Sequence, residues 1–484
     1  MFRYQVIRSV SASVSGMLAL LLIAGGCKKG EPLPNQRPDT HISIQAINLT
    51  GSDRLNSLVE LKWWGSDADG YVKAYEFSFD QVDWILSENQ DSTFLFSIDA
   101  GSDTIDIDFW VRAIDDKDER DESPAYLRIP LKNTPPLIEF DLDLIPSDTS
   151  HNLLTLTWDA SDLDGDQTIE EIQLKINNSE WTSISPAINL VSIVPDNPKA
   201  TGLVSSTLYL DSKTTASSID GLIMNDTNSI YLRAIDIAGS VSTEDTVSSV
   251  YVKSQTEDLL VIGANTGSPN SFYQNNLSGL GISHDFIDFV ANDAANQPRI
   301  WSPTFGLLLA QYEEVLMITN DVNFTNVQTN AEEIILEFAA SSIQAYVDNG
   351  GKIMLTSSFP NGFSTGSALF GVLPVDSFST SVGQARLPID SLAEGIENGY
   401  PDLTCGAFIS GLDPFYPSSD ATPLYTAQLT KNNGWEGPNI IGAKRSNGGQ
   451  TNMVLLSVEL HKLDADPTAV QVLLDKIFND EFAW

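Results

Sequence analysis

Cysteine is nearly absent from this 484-residue chain: Cys27 and Cys405 are the only two. A disulfide framework is therefore excluded, and stability has to come from packed cores. Basic residues are scarce as well, 26 Lys and Arg against 65 Asp and Glu, for a net charge of −39. Such a surface repels phosphate backbones and anionic headgroups, which excludes nucleic acid as a partner. Only four histidines are present, and no zinc-ligand spacing, P-loop or dinucleotide fingerprint occurs. No apolar run reaches the ~20 residues of a spanning helix. What is there is 42% hydrophobic, with acidic residues scattered among Trp, Ile and Val, which excludes a disordered chain.

The longest apolar stretch lies at the start. Arg3 and Arg8 precede Met17 to Ile23, and Ala24-Gly25-Gly26 place small side chains directly before Cys27. A basic start, an apolar run and small residues describe a secretory signal, residues 1–26. An uncleaved anchor or an ordinary signal is the alternative, although the run is too short to span a bilayer. The pattern resembles the bacterial lipoprotein box. That resemblance implies that Cys27 is acylated with diacylglycerol and becomes the first mature residue, leaving 484 − 26 = 458 residues. Attachment to a membrane would then run through the acyl chains. Lys28 is not the Asp that retains some lipoproteins at the inner membrane, so the expected location is the outer membrane of a Bacteroidota-type envelope. Residues 27–40, read as KKGEPLPNQRPD from Lys28, have the Pro, Gly and charge content of a tether.

An internal repeat follows. Leu61-Lys62-Trp63-Trp64-Gly65-Ser66-Asp67-Ala68-Asp69-Gly70 aligns with Leu156-Thr157-Trp158-Asp159-Ala160-Ser161-Asp162-Leu163-Asp164-Gly165. Phe109 to Asp115 aligns with Ile230 to Asp236. The offsets are 95 and 121, so the second copy carries 121 − 95 = 26 extra residues, expected between Ser183 and Ser218. Val59, Leu61 and Trp63, then Tyr75, Phe77 and Phe79, alternate with polar residues, the period of strands with one buried face. Two β-sandwiches are expected, over 41–133 and 134–254. Trp63 or Trp158 on an early strand, Tyr75, and the late Val111 to Asp115 strand resemble fibronectin type III and related immunoglobulin-like modules.

Composition shifts near Ser254. Leu259-Leu260-Val261-Ile262 is continuously apolar, the mark of a parallel strand covered on both faces. Further strands are expected at Asp285 to Phe289, Val315 to Thr319, Lys352 to Thr356 and Met453 to Val458. Helices are expected at Glu332 to Asp348, ended by Asn349-Gly350-Gly351, and after the N-cap Asp466 and Pro467. Residues 255–484 thus read as an α/β domain. The strand and helix order, with Tyr312-Glu313-Glu314-Val315 and Tyr346 to Lys352 leading into strands, resembles the class I glutamine amidotransferase-like, flavodoxin-like group.

Active members of that group carry a nucleophilic cysteine after the fourth strand. Here the turn reads Thr356-Ser357-Ser358-Phe359-Pro360-Asn361-Gly362, and Cys405 lies far downstream, which argues against amidotransferase activity. An alternative is a serine hydrolase with Ser357 or Ser358 as nucleophile, His461 as base and Glu459 or Asp464 orienting the imidazole. The Asp162, Asp164 and Asp166 spacing suits the start of a calcium loop, but Gln173 stands at the twelfth position, and Asp-Gly pairs are also ordinary turns. Trp64 and Trp110 fall on the strand parity opposite to Trp63 and Val111, as an exposed binding patch would. These features together favour a lipid-anchored envelope protein with a non-catalytic binding or scaffolding role toward a protein or glycan, with hydrolysis of envelope or nutrient polymers as the alternative.

Overall fold

The computed structural model describes residues 33–43, 54–55, 58–96, 98, 104–146, 149–211, 214–359 and 367–482; Cys27 and residues 1–26, read above as a secretory signal, lie outside them. The chain divides into two compact units, the first built mainly from residues 33–131 and the second running from Lys132 onward.

The first unit is a β-sandwich. Strands β1 (Asp39–Ser43), β2 (Leu58–Ser66) and β5 (Asp91–Leu95) form one sheet. Strands β3 (Val72–Ser78), β4 (Ile85–Ser87), β6 (Thr104–Asp115) and β7 (Ala125–Lys132) form the other, in the order β4-β3-β6-β7. Period-two alternation sends Phe109, Val111 and Ala113 of β6 inward, where each is fully buried. Trp63 is the centre of this core, its ring 5.8 to 6.4 Å from those of Tyr75, Phe77 and Phe109. Truncating it to Ala would cost about 3–5 kcal/mol. Within the stretch read as a tether, Asn35, Gln36 and Arg37 are fastened to this sandwich by side-chain and backbone hydrogen bonds to Asp115, Asp69 and Glu119.

The second unit opens with another sandwich. One sheet orders β15 (Thr214–Met224), β14 (Gly202–Leu210), β13 (Leu190–Pro195), β10 (Leu154–Ser161) and β8 (Leu137–Phe140). The other orders β12 (Thr182–Ile184), β11 (Ile169–Ile176), β16 (Asp226–Asp236), β17 (Asp245–Lys253) and β9 (Thr149–His151). Trp158 is buried like Trp63, and Leu174, Val191, Leu232 and Val252 are fully enclosed around it. The extra residues of the second copy form the β14–β15 hairpin, which lies between β13 and β16 and widens one sheet. The insertion thus begins after Pro195, not at Ser183, because β12 and β13 belong to the repeat itself.

From Leu259 the same unit continues as a nine-stranded sheet. Five strands are parallel and lie in the order Asp285–Asp288, Leu259–Ala264, Glu314–Thr319, Lys352–Thr356, Gln450–Leu456. Ile440–Asn447, Ala421–Ala427, Leu392–Gly395 and Leu403–Thr404 extend it antiparallel. The continuous apolar runs have a direct cause. Leu260, Ile262, Met317 and Leu355 point to a core shared with helices Trp301–Leu309 and Ile335–Asp348. Leu259, Val261, Leu316 and Met354 point to the opposite core, shared with helices Asn270–Gly279 and Pro467–Asp475. Every residue of the Leu259–Ala264 and Lys352–Thr356 strands is thereby buried.

The helix expected from Glu332 starts at Ile335. Residues Glu332–Ile334 are instead a short strand paired with Asn323–Thr325, which uses backbone groups a helix would have left unmet. Its end is as read: Gly351 N–H donates to Tyr346 C=O and Gly350 N–H to Val347 C=O, at 2.9 and 3.1 Å, with Gly350 at φ +93°. A Cβ on Gly351 would lie 2.3 Å from the Tyr346 ring. At the last helix, the Asp466 carboxylate accepts from Thr468 N–H at 3.0 Å and Pro467 occupies the first turn.

The sandwich and the parallel sheet of this unit share a buried seam. Leu153 belongs to the same apolar cluster as Phe305 and Leu309, and Thr304 Oγ1 donates to Thr155 Oγ1 at 2.8 Å.

Candidate functional site

In open sheets of this kind ligands meet the carboxyl ends of the parallel strands. Thr319-Asn320-Asp321 leave one strand there, Thr356-Ser357-Ser358 the next, and Ser457 to His461 the last. The structure brings Ser358, Glu459 and His461 together, but not in the order a catalytic triad needs. Ser358 Oγ donates to Glu459 Oε1 at 3.0 Å, with Asp321 Oδ1 at 3.4 Å. The His461 ring turns away, its Nδ1 3.3 Å from the Tyr273 hydroxyl and its Nε2 3.4 Å from Glu459 Oε2. The carboxylate thus stands between serine and imidazole, whereas proton shuttling requires the imidazole in the middle. Burial holds the His461 pKa below the usual imidazole value, against the opposing pull of Glu459. Lys462 Nζ also pairs with Glu459 Oε2, at 2.8 Å.

Ser357 is fully buried. Its hydroxyl accepts from Thr319 Oγ1 and donates to Ser358 C=O, both at 2.7 Å, so it presents nothing to a substrate. Asp464 acts on His461 only as a distant charge. Cys405 is buried, its Sγ donating to Ala407 C=O at 3.0 Å, and burial pushes its thiol pKa up, the opposite of an activated nucleophile. Reasoning from sequence missed Tyr273, Asp321 and Asp413. Burial and the Asp321 charge push the Asp413 pKa up to about 7.

The repeated acidic turns have a structural task. Asp162 Oδ1 accepts from Asp164 N–H at 2.7 Å, Asp164 Oδ2 from Thr134 N–H at 2.6 Å, and Asp166 Oδ1 from Asp162 N–H at 3.0 Å. Among the described residues no three or more His, Cys, Asp or Glu side chains group as metal ligands. One oxygen of each carboxylate is thus turned toward a backbone donor, while Asp162 Oδ2 is buried without a hydrogen-bond partner among the described residues. In the first sandwich Asp69 does the same for Gln36 N–H at 2.9 Å, and Lys117 Nζ pairs with its other oxygen at 3.0 Å.

Trp64 is half exposed and lies against His41, which faces it across β1 and β2, with centroids 5.4 Å apart. Trp110 is partly covered by Tyr126 at 5.2 Å. A pairing not foreseen from sequence recurs in both sandwiches. Arg112 stacks on Trp84 at 3.9 Å while donating to Glu76, and Arg233 stacks on Trp181 at 4.1 Å while donating to Gln173. Each Arg is held flat between an aromatic ring and an acceptor, which stiffens the outer sheet face.

No family model matches the chain, and no curated protein matches it in sequence. Partial likeness is found to solved fibronectin modules. The CbhA fibronectin(III)-like modules of Clostridium thermocellum show 15% identity over 44% of this chain and 94% of theirs, with a TM-score of 0.18. A two-domain fibronectin type III segment of chicken tenascin shows 12% identity over 44% and 98%, with a TM-score of 0.19. The central fibronectin-III array of RIM-binding protein shows 11% over 43% and 88%, with a TM-score of 0.14.

Proposed function

We propose that this chain is a lipid-anchored protein of a bacterial envelope, held through acylated Cys27 at the outer membrane, with a non-catalytic role in binding or scaffolding a protein or glycan. Its two sandwiches are read as fibronectin type III-like spacers. Its last part is read as an amidotransferase-like, flavodoxin-like domain without the nucleophile; the parallel order, in which the second strand lies outside the first, supports that reading.

The observation that carries the non-catalytic role is the Ser358–Glu459–His461 order, with the carboxylate between hydroxyl and imidazole. Neither ring nitrogen of His461 is directed at a serine, so the geometry for removing a hydroxyl proton is missing. A direct test compares the full chain with a Ser358→Ala, His461→Ala double variant on envelope glycans, peptidoglycan and peptides. Equal, background product release by both is expected. Turnover by the wild type that the double variant loses would replace this reading with the hydrolase.

A further inference from the structure

Arg299 stands apart in a chain so rich in carboxylates. Among the described residues every other arginine is ion-paired or hydrogen-bonded. Among those residues Arg299 has no such partner: none of them offers an acceptor to its buried Nε, and none brings a carboxylate within 4 Å of the guanidinium. It lines a cavity of about 280 Å³ beyond the carboxyl ends of the Asp285–Asp288 and Glu314–Thr319 strands. Trp301 and Phe324 give this cavity an aromatic wall, and Gln297, Thr325 and Asp293 give it polar groups. The turn that shapes it is strained. Asn292, Asp293 and Ala294 are consecutive left-handed residues, with φ of +53°, +54° and +64°. Such backbone persists where surrounding structure enforces it, and it clusters at ligand clamps.

We infer that this cavity binds a carboxylate-bearing sugar, a uronic acid, with the carboxylate on Arg299. An unpaired guanidinium offers a planar fork that matches a carboxylate. An aromatic wall beside amide, hydroxyl and carboxylate groups suits a ring with one apolar face and several hydroxyls. The net charge of −39 repels anions in general, so one unpaired, half-buried cation in a shaped cavity selects the ligand that fits it. This deepens the binding role proposed above and rests on it. Failure at Arg299 leaves anchoring through Cys27 untouched, since anchoring is read separately by membrane fractionation.

The test is calorimetric titration of the full chain with glucuronate, and with glucose as the uncharged comparison. Saturable binding of glucuronate, about tenfold or more tighter than glucose, is expected. Arg299→Gln should abolish that preference, and Arg299→Lys should retain only part of it. Arg299 bonds to none of the described residues, so its variants should melt where the wild type does. If Arg299→Gln fails to fold, the glucuronate-to-glucose ratio of the wild type and the response of Arg299→Lys decide the matter. Absence of glucuronate binding, equal binding of glucose, or undiminished preference in the variants would overturn the assignment.

Discussion

Asn152 of the second sandwich donates its side-chain amide to the Tyr312 hydroxyl at 3.0 Å, and that hydroxyl in turn donates to Asp285 Oδ2 at 3.0 Å. A buried chain of three polar groups thus joins the sandwich to the parallel sheet. Tyr312→Phe keeps the ring but leaves the buried Asn152 amide without its acceptor, while Asp285 Oδ2 keeps the Thr256 N–H. Denaturant unfolding should show a loss of about 1–3 kcal/mol. A change near zero would mean that the seam is held by its apolar contacts alone.

His151 lies at the edge of the same seam, where burial, aided by the Lys253 charge, depresses its pKa to about 4 from 6.5. The unfolded chain therefore binds this proton first on acidification. Stability from a neutral His151 is complete above about pH 6.5 and is lost as pH falls toward about 4. The midpoint of thermal unfolding should fall over that window, and His151→Leu should flatten the slope. A variant with an unchanged slope would contradict this.

Asp413 carries the opposite sign. Its pKa of about 7 lies above the 3.8 of a free carboxyl, so its contribution is complete below the lower value and is lost as pH rises through about 7. Asp413→Asn mimics the protonated form. It should therefore gain stability relative to the wild type above pH 7 and show no gain near pH 4.

Asn133 Nδ2 donates to Asp236 Oδ2 at 2.5 Å and to Ser240 Oγ at 2.8 Å, and Asn35 makes the matching bond to Asp115 in the first sandwich. Both aspartates are fully buried. Asn133→Ala and Asn35→Ala should each cost about 1–3 kcal/mol by leaving a carboxylate oxygen unmet. Hydrogen exchange should show the loss at the module start rather than at Trp63 or Trp158.

Features that repeat at short range were legible in the sequence. Trp63 and Trp158, the alternation around them, the doubly apolar Leu259 to Ile262 strand and the Gly350-Gly351 stop all follow from local period and turn chemistry. What was not legible depends on register between distant segments. The acidic turns accept from Gln36 and Thr134, which lie about thirty residues upstream and which no local pattern links to them. The Trp84–Arg112 and Trp181–Arg233 stacks join strands whose pairing no local pattern specifies. At the strand ends, Ser358, Glu459 and His461 could be named but not ordered, since the decisive partner, Tyr273, comes from a helix 188 residues earlier.

The anchor proposed at Cys27 sets the first test of where this chain acts. Intact-mass and N-terminal analysis of the chain extracted from its own membranes should find Cys27 as the first residue, bearing diacylglycerol and an amide-linked acyl group, and Cys27→Ala should leave the membrane fraction. An unmodified thiol at Cys27, in protein recovered free of membranes, would contradict the account.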